Sequence, residues 1–403
     1  MMFKNILFFV VANIIAANDL TLIGDIKFSD GLARQPIWII DNLSNDLQIN
    51  WLKKSGNFHS DDVPDKVKQV VLNTDQSFGN IIFYTDHLWF YRTKITKSDK
   101  IKIASSMFDA DIIPDKWVKI LNNDFDAVVV PDKYHIKTYL NSGVKIPIFV
   151  LPLGLYLDNF LSNNAKRFAN KTFVFGNSCS LPYRKNHIRL IEAFAKAFGD
   201  NPDVRLIINS RACEPGALKK LKDKISELNL KNIHFSLRSL SNSDYINFLR
   251  SIDCYVSSSA GEGFAITPRE SLALGCPVIL TNNTAHKTIC ESGFVRSVKS
   301  DIRIEAYYEG FPKIKGNFFD CKSSDLKDAL IDVYNNYDEH LNLANHGREW
   351  VKNYTISNLK SKYLTLFKPK KIIFGKINQI NDDCLITNSL ELYNKYKKFM
   401  QIN

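Results

Sequence analysis

The sequence has few of the features that assign a chain to a specialised class. Its seven cysteines are widely separated and form no C-x-x-C pair and no other spacing typical of metal ligands. This excludes a dense disulfide framework and is typical of free thiols in a reducing compartment. No internal repeat or low-complexity tract stands out. The lysines and arginines are scattered and lack interleaved aromatics, which argues against a protein that binds nucleic acid.

The chain is long enough for two domains. It has 403 residues, of which 45% are hydrophobic, and this content can fill two sizeable cores. The formal net charge is +11. A positive balance of this size favours phosphate-bearing ligands, nucleic acid or an anionic membrane surface, without choosing among them.

The first seventeen residues differ from the rest. The stretch MMFKNILFFVVANIIAA has an early lysine, an apolar run and small residues at its end, which is the pattern of a secretory signal peptide. It is short for a bilayer span. Residues 1–17 are therefore predicted to be a signal peptide or membrane anchor, and a first buried strand is the competing interpretation.

Strand-like and helix-like patterns alternate through the remaining chain. Short apolar runs that end in turn residues are typical of buried parallel strands. Such runs lie at 20–26, 80–86, 126–131, 146–154, 171–176, 204–209, 233–237, 253–259 and 277–281. Stretch 187–198 has apolar residues at helical spacing. This alternation predicts right-handed crossovers and doubly wound α/β sheets, with a domain boundary near the prolines and polar residues after 146.

Ligands of such sheets bind where strands end and helices begin. Three segments of the second half reach this edge: GNSCSLPYRKN, SSSAGEGFAITP and TNNTAH. They bring Lys185, which precedes a helix, towards Glu262 and Glu270. A cation beside free backbone amides forms a diphosphate site, and a carboxylate beside it can accept hydrogen bonds from sugar hydroxyls. The pattern predicts that the two glutamates bind two parts of one nucleotide-sugar.

Glu270 also has a purely structural interpretation. Thr267, Pro268 and Glu270 have the spacing of an N-cap, a first helical residue and an N3 partner, so Glu270 on this alternative only completes a capping box. Glu262 lies between two glycines, where the backbone lets another molecule approach closely. A glutamate that serves only solubility would not need such neighbours.

The segment from Glu262 to Glu270 resembles the E-x7-E signature of the family 4 glycosyltransferases, which are retaining enzymes with a GT-B fold. YRKNHIRLIEAFAKAF resembles the family's lysine loop and following helix, and EGFAITPRESLALGCPVILTNNTAH resembles its motif, helix and next strand. MFDADIIPDKWVKILNNDFDAVVVPDKYHIKTYLNSGVKIPIFVLPLG resembles the end of the family's first domain, and GDIKFSDGLARQP resembles its first glycine loop. The resemblance spans 20–370 and is strongest over 171–285.

The resemblance implies roles for the matched residues of the second half. Glu262 would contact the transferred sugar, Glu270 the ribose and Lys185 the diphosphate. Gly263 and Phe264 belong to the same donor-binding loop.

Two further donor-side residues follow from the resemblance. Gly31 would let the first-domain loop approach the phosphates. The family often pairs its lysine with an arginine about six positions earlier, where this chain has Cys179 and Ser180. Arg184 is the candidate substitute, and a solvent-facing arginine is the alternative.

The family's mechanism implies that positive charge and a helix dipole hold the leaving diphosphate while the anomeric carbon develops oxocarbenium character. It needs no metal, and we expect neither a metal nor another cofactor. On the acceptor side, His87 ends a strand and is a candidate for orienting the acceptor or the sugar; a structural histidine is the alternative. Asp109, in MFDAD, is a second acceptor-side candidate, with a solvated loop acid as the alternative.

The prediction is a GT-B architecture of two Rossmann-like, doubly wound domains that face a central cleft. The expected divisions are an acceptor-side domain at 18–155, a nucleotide-sugar domain at 156–370 and a helical segment at 371–403 that returns to the first domain. The expected function is transfer of a hexose from a UDP- or GDP-linked sugar to a glycan, lipid-linked or protein acceptor, in surface polysaccharide or glycoconjugate synthesis.

Two alternatives stay open. A secreted two-domain sugar-binding protein would explain the leader and the paired lobes, but not a lysine and two glutamates that converge on one lobe. A sugar epimerase or phosphorylase on the same fold is excluded only by substrate turnover. Because nucleotide-sugars are cytosolic in bacteria, the expected location is cytoplasmic or membrane-associated, with peripheral membrane contact as a candidate interaction.

Overall fold

The computed structural model describes residues 18–28, 30–52, 56–73, 77–91, 99–166, 171–211, 216–311 and 314–401. The predicted signal peptide or anchor at 1–17 lies outside them. None of the helices in these ranges combines the length and apolarity that a membrane crossing requires. The described α-helices are Arg34–Leu43 (α1), Asp65–Leu72 (α2), Asp115–Asp124 (α3), Tyr134–Asn141 (α4), Asp158–Leu161 (α5), His187–Phe198 (α6), Ala217–Glu227 (α7), Asn242–Ser251 (α8), Ile266–Ala273 (α9), His286–Cys290 (α10), Ser323–Asn335 (α11), Tyr337–Val351 (α12), Ile356–Phe367 (α13) and Leu390–Gln401 (α14).

The first domain is built on a parallel sheet. Its described strands are Leu20–Ile23 (β1), Ile49–Trp51 (β2), Ile81–Tyr84 (β3), Ile101–Ser105 (β4), Ala127–Val130 (β5) and Ile148–Val150 (β6). They lie in the order β2-β1-β3-β4-β5-β6. Alternate side chains face opposite sides, so Phe83 packs in the core under α1, α2 and α13 while Ile82 packs in the core under α3 and α4. The sequence patterns predict four of these strands and miss β2 and β4.

The second domain repeats this plan. Its described parallel strands are Phe173–Ser178 (β7), Val204–Asn209 (β8), Ile233–Ser236 (β9), Cys254–Ser257 (β10), Val278–Asn282 (β11) and Arg296–Lys299 (β12). They lie in the order β12-β11-β10-β7-β8-β9. Helices α6, α7 and α11 cover one face, and α9 and α12 cover the other. The predicted helix at 187–198 is confirmed as α6, with Ile191 and Phe194 buried. The predicted two-domain α/β architecture is confirmed.

An antiparallel hairpin leaves the second domain and packs on the first. It pairs Ile302–Glu305 (β13) with Asn317–Asp320 (β14). Ile314 and Phe318 are buried in the same cluster as Trp117 of the first domain. The backbone N–H of Asn317 donates a hydrogen bond of 2.6 Å to the Asp111 carboxylate. The hairpin therefore closes one end of the space between the domains.

The C-terminal part of the chain crosses back to the first domain. Helix α13 buries Tyr363 and Phe367 in the first core, where Tyr363 packs edge-on against Trp38 at 4.2 Å. The return thus begins before residue 370. The segment 371–403, expected to be helical, first forms a three-stranded sheet, and only its last part is helix α14. The strands of this sheet are Lys371–Phe374 (β15), Gln379–Ile380 (β16) and Cys384–Thr387 (β17).

Candidate functional site

A cleft of about 800 Å³ lies between the carboxyl ends of the two sheets. Its walls come from both domains, as expected for ligand binding at the ends of parallel strands. The nine residues singled out from the sequence all line it: Gly31, His87, Asp109, Arg184, Lys185, Glu262, Gly263, Phe264 and Glu270.

Glu262 lies at the centre of the charged part of this cleft. Its carboxylate forms an ion pair with Lys185 and a second one with the Arg184 guanidinium, 3.4 Å away. The Glu262 side chain is 7% exposed. Burial alone would raise its pKa, but Lys185, Arg184 and His286 hold the pKa of Glu262 well below its usual range. Glu262 is therefore a buried anion held between two cations.

Arg184 connects the two domains. Its Nε lies 3.1 Å from the Asp109 carboxylate of the first domain, and its Nη1 donates a hydrogen bond of 2.8 Å to the Gly261 carbonyl. The Tyr308 hydroxyl donates to the same Asp109 carboxylate at 3.4 Å. A solvent-facing Arg184 and a solvated Asp109 were the alternatives, and both are wrong. Asp109 instead orients the guanidinium beside Glu262.

Glu270 does not form a capping box. Helix α9 begins at Ile266 after Ala265, and no side chain caps it. The Glu270 carboxylate accepts a hydrogen bond of 2.6 Å from the Tyr245 hydroxyl and lies 3.2 Å from the Arg34 guanidinium of the first domain. The capping prediction fails because the helix starts one residue before Thr267. The carboxylate is thus directed into the cleft wall rather than back along its own helix.

The glycines around Glu262 permit close approach between the domains. A Cβ added at Gly261 would overlap the carbonyl oxygen of Asp109, and one at Gly263 would lie 3.0 Å from the Met107 side chain. The sequence predicts that a ligand approaches this loop, whereas the structure places the first-domain loop there. Any side chain at 261 would therefore force the Gly261 loop and the Asp109 backbone apart.

Three loops at this edge of the second sheet contain strained backbone. Asn186, Ala265 and Thr284 have φ angles of 56°, 62° and 40°, in the left-handed region that non-glycine residues rarely adopt. Asn186 and Ala265 immediately precede α6 and α9, and Thr284 lies two positions before the start of α10. Such strain is often found at functional sites. Here it turns the chain so that Lys185, Glu262 and the α9 N-terminus face one space.

The other predicted residues occupy different positions in the cleft. His87 is exposed on the first-domain wall, with its ring 6.3 Å from Trp117. Gly31 lies against Ile266 of the second domain, since an added Cβ would be 3.2 Å from that side chain. Phe264 is buried, and the Arg269 guanidinium lies 4.1 Å from its ring centroid. Phe264 therefore supports the loop by packing.

Sequence reasoning missed three residues of the site. Arg34 and Tyr245 hold the Glu270 carboxylate, and His286 lines the cleft near Glu262. Burial lowers the pKa of His286 to about 4, with Glu262 opposing the effect and Lys185 adding to it. Its Nδ1 faces the Thr281 carbonyl at 3.1 Å. The only sequence signal for these residues was the position of Arg34 and His286 inside segments already singled out.

In the described ranges, no group of three or more histidine, cysteine, aspartate or glutamate side chains has an arrangement that could hold a metal ion.

Comparison with known proteins finds sequence similarity over part of the chain. Residues 160–350 match the family model described as Glycosyl transferases group 1. The group 1 match contains Arg184, Lys185, Glu262 and Glu270. An uncharacterised glycosyltransferase from Methanocaldococcus jannaschii is 34% identical over 151 residues. That alignment covers 37% of this chain and 36% of the relative, so the chain spans about a third of the curated relative that it matches.

Solved structures extend the likeness over both domains. The sucrose-phosphate synthase of Thermosynechococcus elongatus superposes with a TM-score of 0.63 at 12% identity. The alignment covers 87% of this chain and 98% of the synthase chain. HepE of Anabaena, solved with UDP, superposes with a TM-score of 0.59 at 13% identity. The alignment covers 86% of this chain and 98% of the HepE chain. Together with the group 1 match, these likenesses confirm the GT-B architecture. Gly31, Arg34, His87 and Asp109 lie outside the group 1 match.

Proposed function

We propose that this protein is a retaining glycosyltransferase that moves a hexose from a UDP- or GDP-linked sugar to an acceptor hydroxyl. One observation carries the proposal: Lys185, Arg184, Glu262 and Glu270 converge on one interdomain cleft, although Arg184 lies 86 positions before Glu270 in sequence. The group 1 match over these residues supports it. So does the similarity in fold to Anabaena HepE, which was solved with UDP and with UDP-glucose.

The donor's diphosphate would bind the positively charged side chains of Lys185 and Arg184. Both now neutralise Glu262, so a diphosphate competes with that carboxylate for them. The N-terminus of α9, which no side chain caps, faces the same space and adds favourable backbone N–H groups and dipole. Glu270, fixed by Tyr245, would accept hydrogen bonds from ribose hydroxyls.

Catalysis would follow from electrostatic stabilisation. The bond from the anomeric carbon to the diphosphate oxygen breaks while the two cations stabilise the negative charge that develops on the leaving group. The acceptor oxygen bonds to the same face of that carbon, and the acceptor proton passes to the departing diphosphate. Glu262, which is an anion in the unliganded cleft because Lys185 and Arg184 lower its pKa, would contact the transferred sugar. No metal is required by these steps.

The first domain would supply the acceptor side. His87 is exposed on the cleft wall, and we propose that it orients the acceptor or the sugar. Asp109 contributes by positioning Arg184, since their ion pair measures 3.1 Å. The acceptor hydroxyl would belong to a glycan, a lipid-linked sugar or a protein in surface polysaccharide or glycoconjugate synthesis.

The test is a screen of UDP- and GDP-linked hexoses for thermal stabilisation and for nucleotide release by the full chain. The proposal expects at least one nucleotide-sugar to stabilise the protein, by about 2.7 kcal/mol at a hundred times its dissociation constant, and to release nucleotide when an acceptor is added. NMR of the product should show the donor's anomeric configuration. Stabilisation without nucleotide release would indicate a binding protein, and release with inversion would contradict the retaining mechanism.

A further inference from the structure

Part of the cleft lining is a group of aromatic rings that both domains supply. Trp89 and Phe90 come from the 3₁₀ turn Leu88–Phe90 that follows β3, and Phe311 comes from the loop between β13 and β14. The Trp89 and Phe311 rings lie 4.8 Å apart at 33°, and those of Phe90 and Phe311 lie 6.4 Å apart at 64°. We call these three residues the aromatic wall.

Two rings of the aromatic wall are exposed to solvent. Phe90 is 54% exposed and Phe311 is 37% exposed, although each is a large apolar side chain. All three rings line the cleft. A contiguous exposed apolar surface inside a cleft marks a place where a ligand binds.

Buried neighbours hold the aromatic wall in place. Trp89 packs edge-on against Trp117 at 5.5 Å, and Trp117 is 1% exposed. The hairpin that carries Phe311 is hydrogen-bonded to Asp111 through Asn317. The buried Trp117 thus supports Trp89, and Trp89 in turn contacts the Phe311 ring.

Polar side chains of the first domain line the same cleft as the rings. They are His59, Asp61, Asp62 and His87, and His87 immediately precedes the turn that carries Trp89 and Phe90. An entirely apolar ligand would remove water from these groups without replacing their hydrogen bonds. A pyranose ring fits both features, since it has a face of C–H groups and an edge of hydroxyls that a carboxylate or imidazole can bind.

We propose that the aromatic wall is an acceptor subsite that binds a saccharide, with the C–H face of a pyranose ring stacked on Phe90 and the edge of that ring against Phe311. This rests on the proposed function for its role in transfer. The aromatic wall joins the charged part of the cleft through Trp117 and Phe108, whose rings lie 5.0 Å apart, and Phe108 precedes Asp109. A saccharide on the aromatic wall therefore lies on the first-domain side of the proposed donor site.

The experiment measures saccharide binding directly, without a donor. Saturation-transfer NMR is recorded on the full chain with methyl glycosides of glucose, galactose, mannose, N-acetylglucosamine and rhamnose, and with n-octanol as an apolar probe. The variants are Phe90→Ala and Phe311→Ala. Phe374→Ala is the matched control, because Phe374 is also 54% exposed and lies on β15, outside the cleft. UDP and GDP affinities are measured on the same proteins.

The proposal expects at least one methyl glycoside to bind, and each wall variant to weaken it by about tenfold, while the control and the nucleotide affinities stay unchanged. Equal glycoside binding in the wall variants and the control, or no glycoside binding at all, overturns the proposal. Binding of n-octanol alone identifies a lipid-chain site and also overturns it. If no nucleotide-sugar is turned over but the wall variants still lose glycoside binding, the proposed transferase function is refuted. The saccharide-binding site is still supported in that case.

Discussion

Replacing Glu262 by glutamine should separate nucleotide binding from turnover. The substitution keeps the shape of the side chain and removes the anion that Lys185 and Arg184 share. Lys185 and the Arg184 Nη1 group then become available to a diphosphate, while Arg184 Nε keeps its Asp109 partner. The repulsion between the carboxylate and the phosphates is also lost. Nucleotide diphosphates should therefore bind more tightly to Glu262→Gln than to the wild type, although its turnover falls.

The size of the effect follows from the ion pairs. At an effective dielectric constant of about 20, unit charges at the Glu262–Arg184 separation attract by roughly 5 kcal/mol. The glutamine oxygen still accepts a hydrogen bond, and water enters as the charges are released, so we expect a net gain of about 1.4 kcal/mol, a tenfold lower Kd for UDP or GDP. Turnover should fall by about a hundredfold, as for loss of one stabilising group at a reacting centre.

Isothermal titration calorimetry with UDP and GDP, and nucleotide release under saturating donor, measure the two quantities on the same protein. Glu192→Gln is the matched control, because Glu192 pairs with Arg189 at 3.1 Å on the surface of α6 and lies outside the cleft lining. Weaker diphosphate binding by Glu262→Gln, or undiminished turnover, would refute the reasoning.

Three further outcomes are expected. Glu270→Gln should weaken nucleotide binding with little change in melting temperature, because one amide oxygen replaces two carboxylate oxygens; unchanged affinity in calorimetry would oppose its ribose role. Gly261→Ala should cost about 1–3 kcal/mol of unfolding free energy and most of the turnover, because the new Cβ meets backbone, whereas Gly263→Ala meets only the flexible Met107 side chain and should cost less in denaturant titrations. Burial lowers the pKa of His187 to about 3, well below that of a histidine in the unfolded chain. As the pH drops from 7 to 5, His187 therefore takes up a proton in the unfolded chain but not in the folded one. The free energy of unfolding should fall by about 2 kcal/mol for this residue over that range. Between pH 7 and 5 the free energy of unfolding should therefore fall by about 2 kcal/mol less in His187→Gln than in the wild type. The same pH dependence in both proteins would contradict the lowered pKa of His187.

The strands that the sequence predicts correctly are those whose burial leaves a continuous apolar run. Strand β5 reads AVVV, and both of its faces are covered. Strand β4 was missed because Lys102 interrupts its apolar pattern, although that side chain is only 3% exposed. The hairpin at 302–320 was missed because its burial depends on first-domain surfaces that local sequence does not specify. Tertiary context overrides local pattern in both cases.

The charged residues of the site were predicted because short segments at strand ends contain them. Their partners were not, because partnership depends on how the domains pack. Arg34 lies 236 positions before Glu270 in sequence, and no spacing rule connects such a pair. The glycines beside Glu262 indicated close approach, but only the structure shows that the approaching group is the Asp109 loop.

The most direct test of the proposed site is calorimetric titration of UDP and GDP into the full chain and into Lys185→Ala. Lys196→Ala serves as the control, because Lys196 lies near the far end of α6 and binds Ser323. The proposed site predicts that UDP or GDP binds the wild type and the control with equal affinity. Lys185→Ala should lower that affinity by about tenfold or more, because a charge-assisted hydrogen bond to phosphate is lost. Equal affinity in a folded Lys185→Ala variant, or no binding of either diphosphate to the wild type, would contradict it.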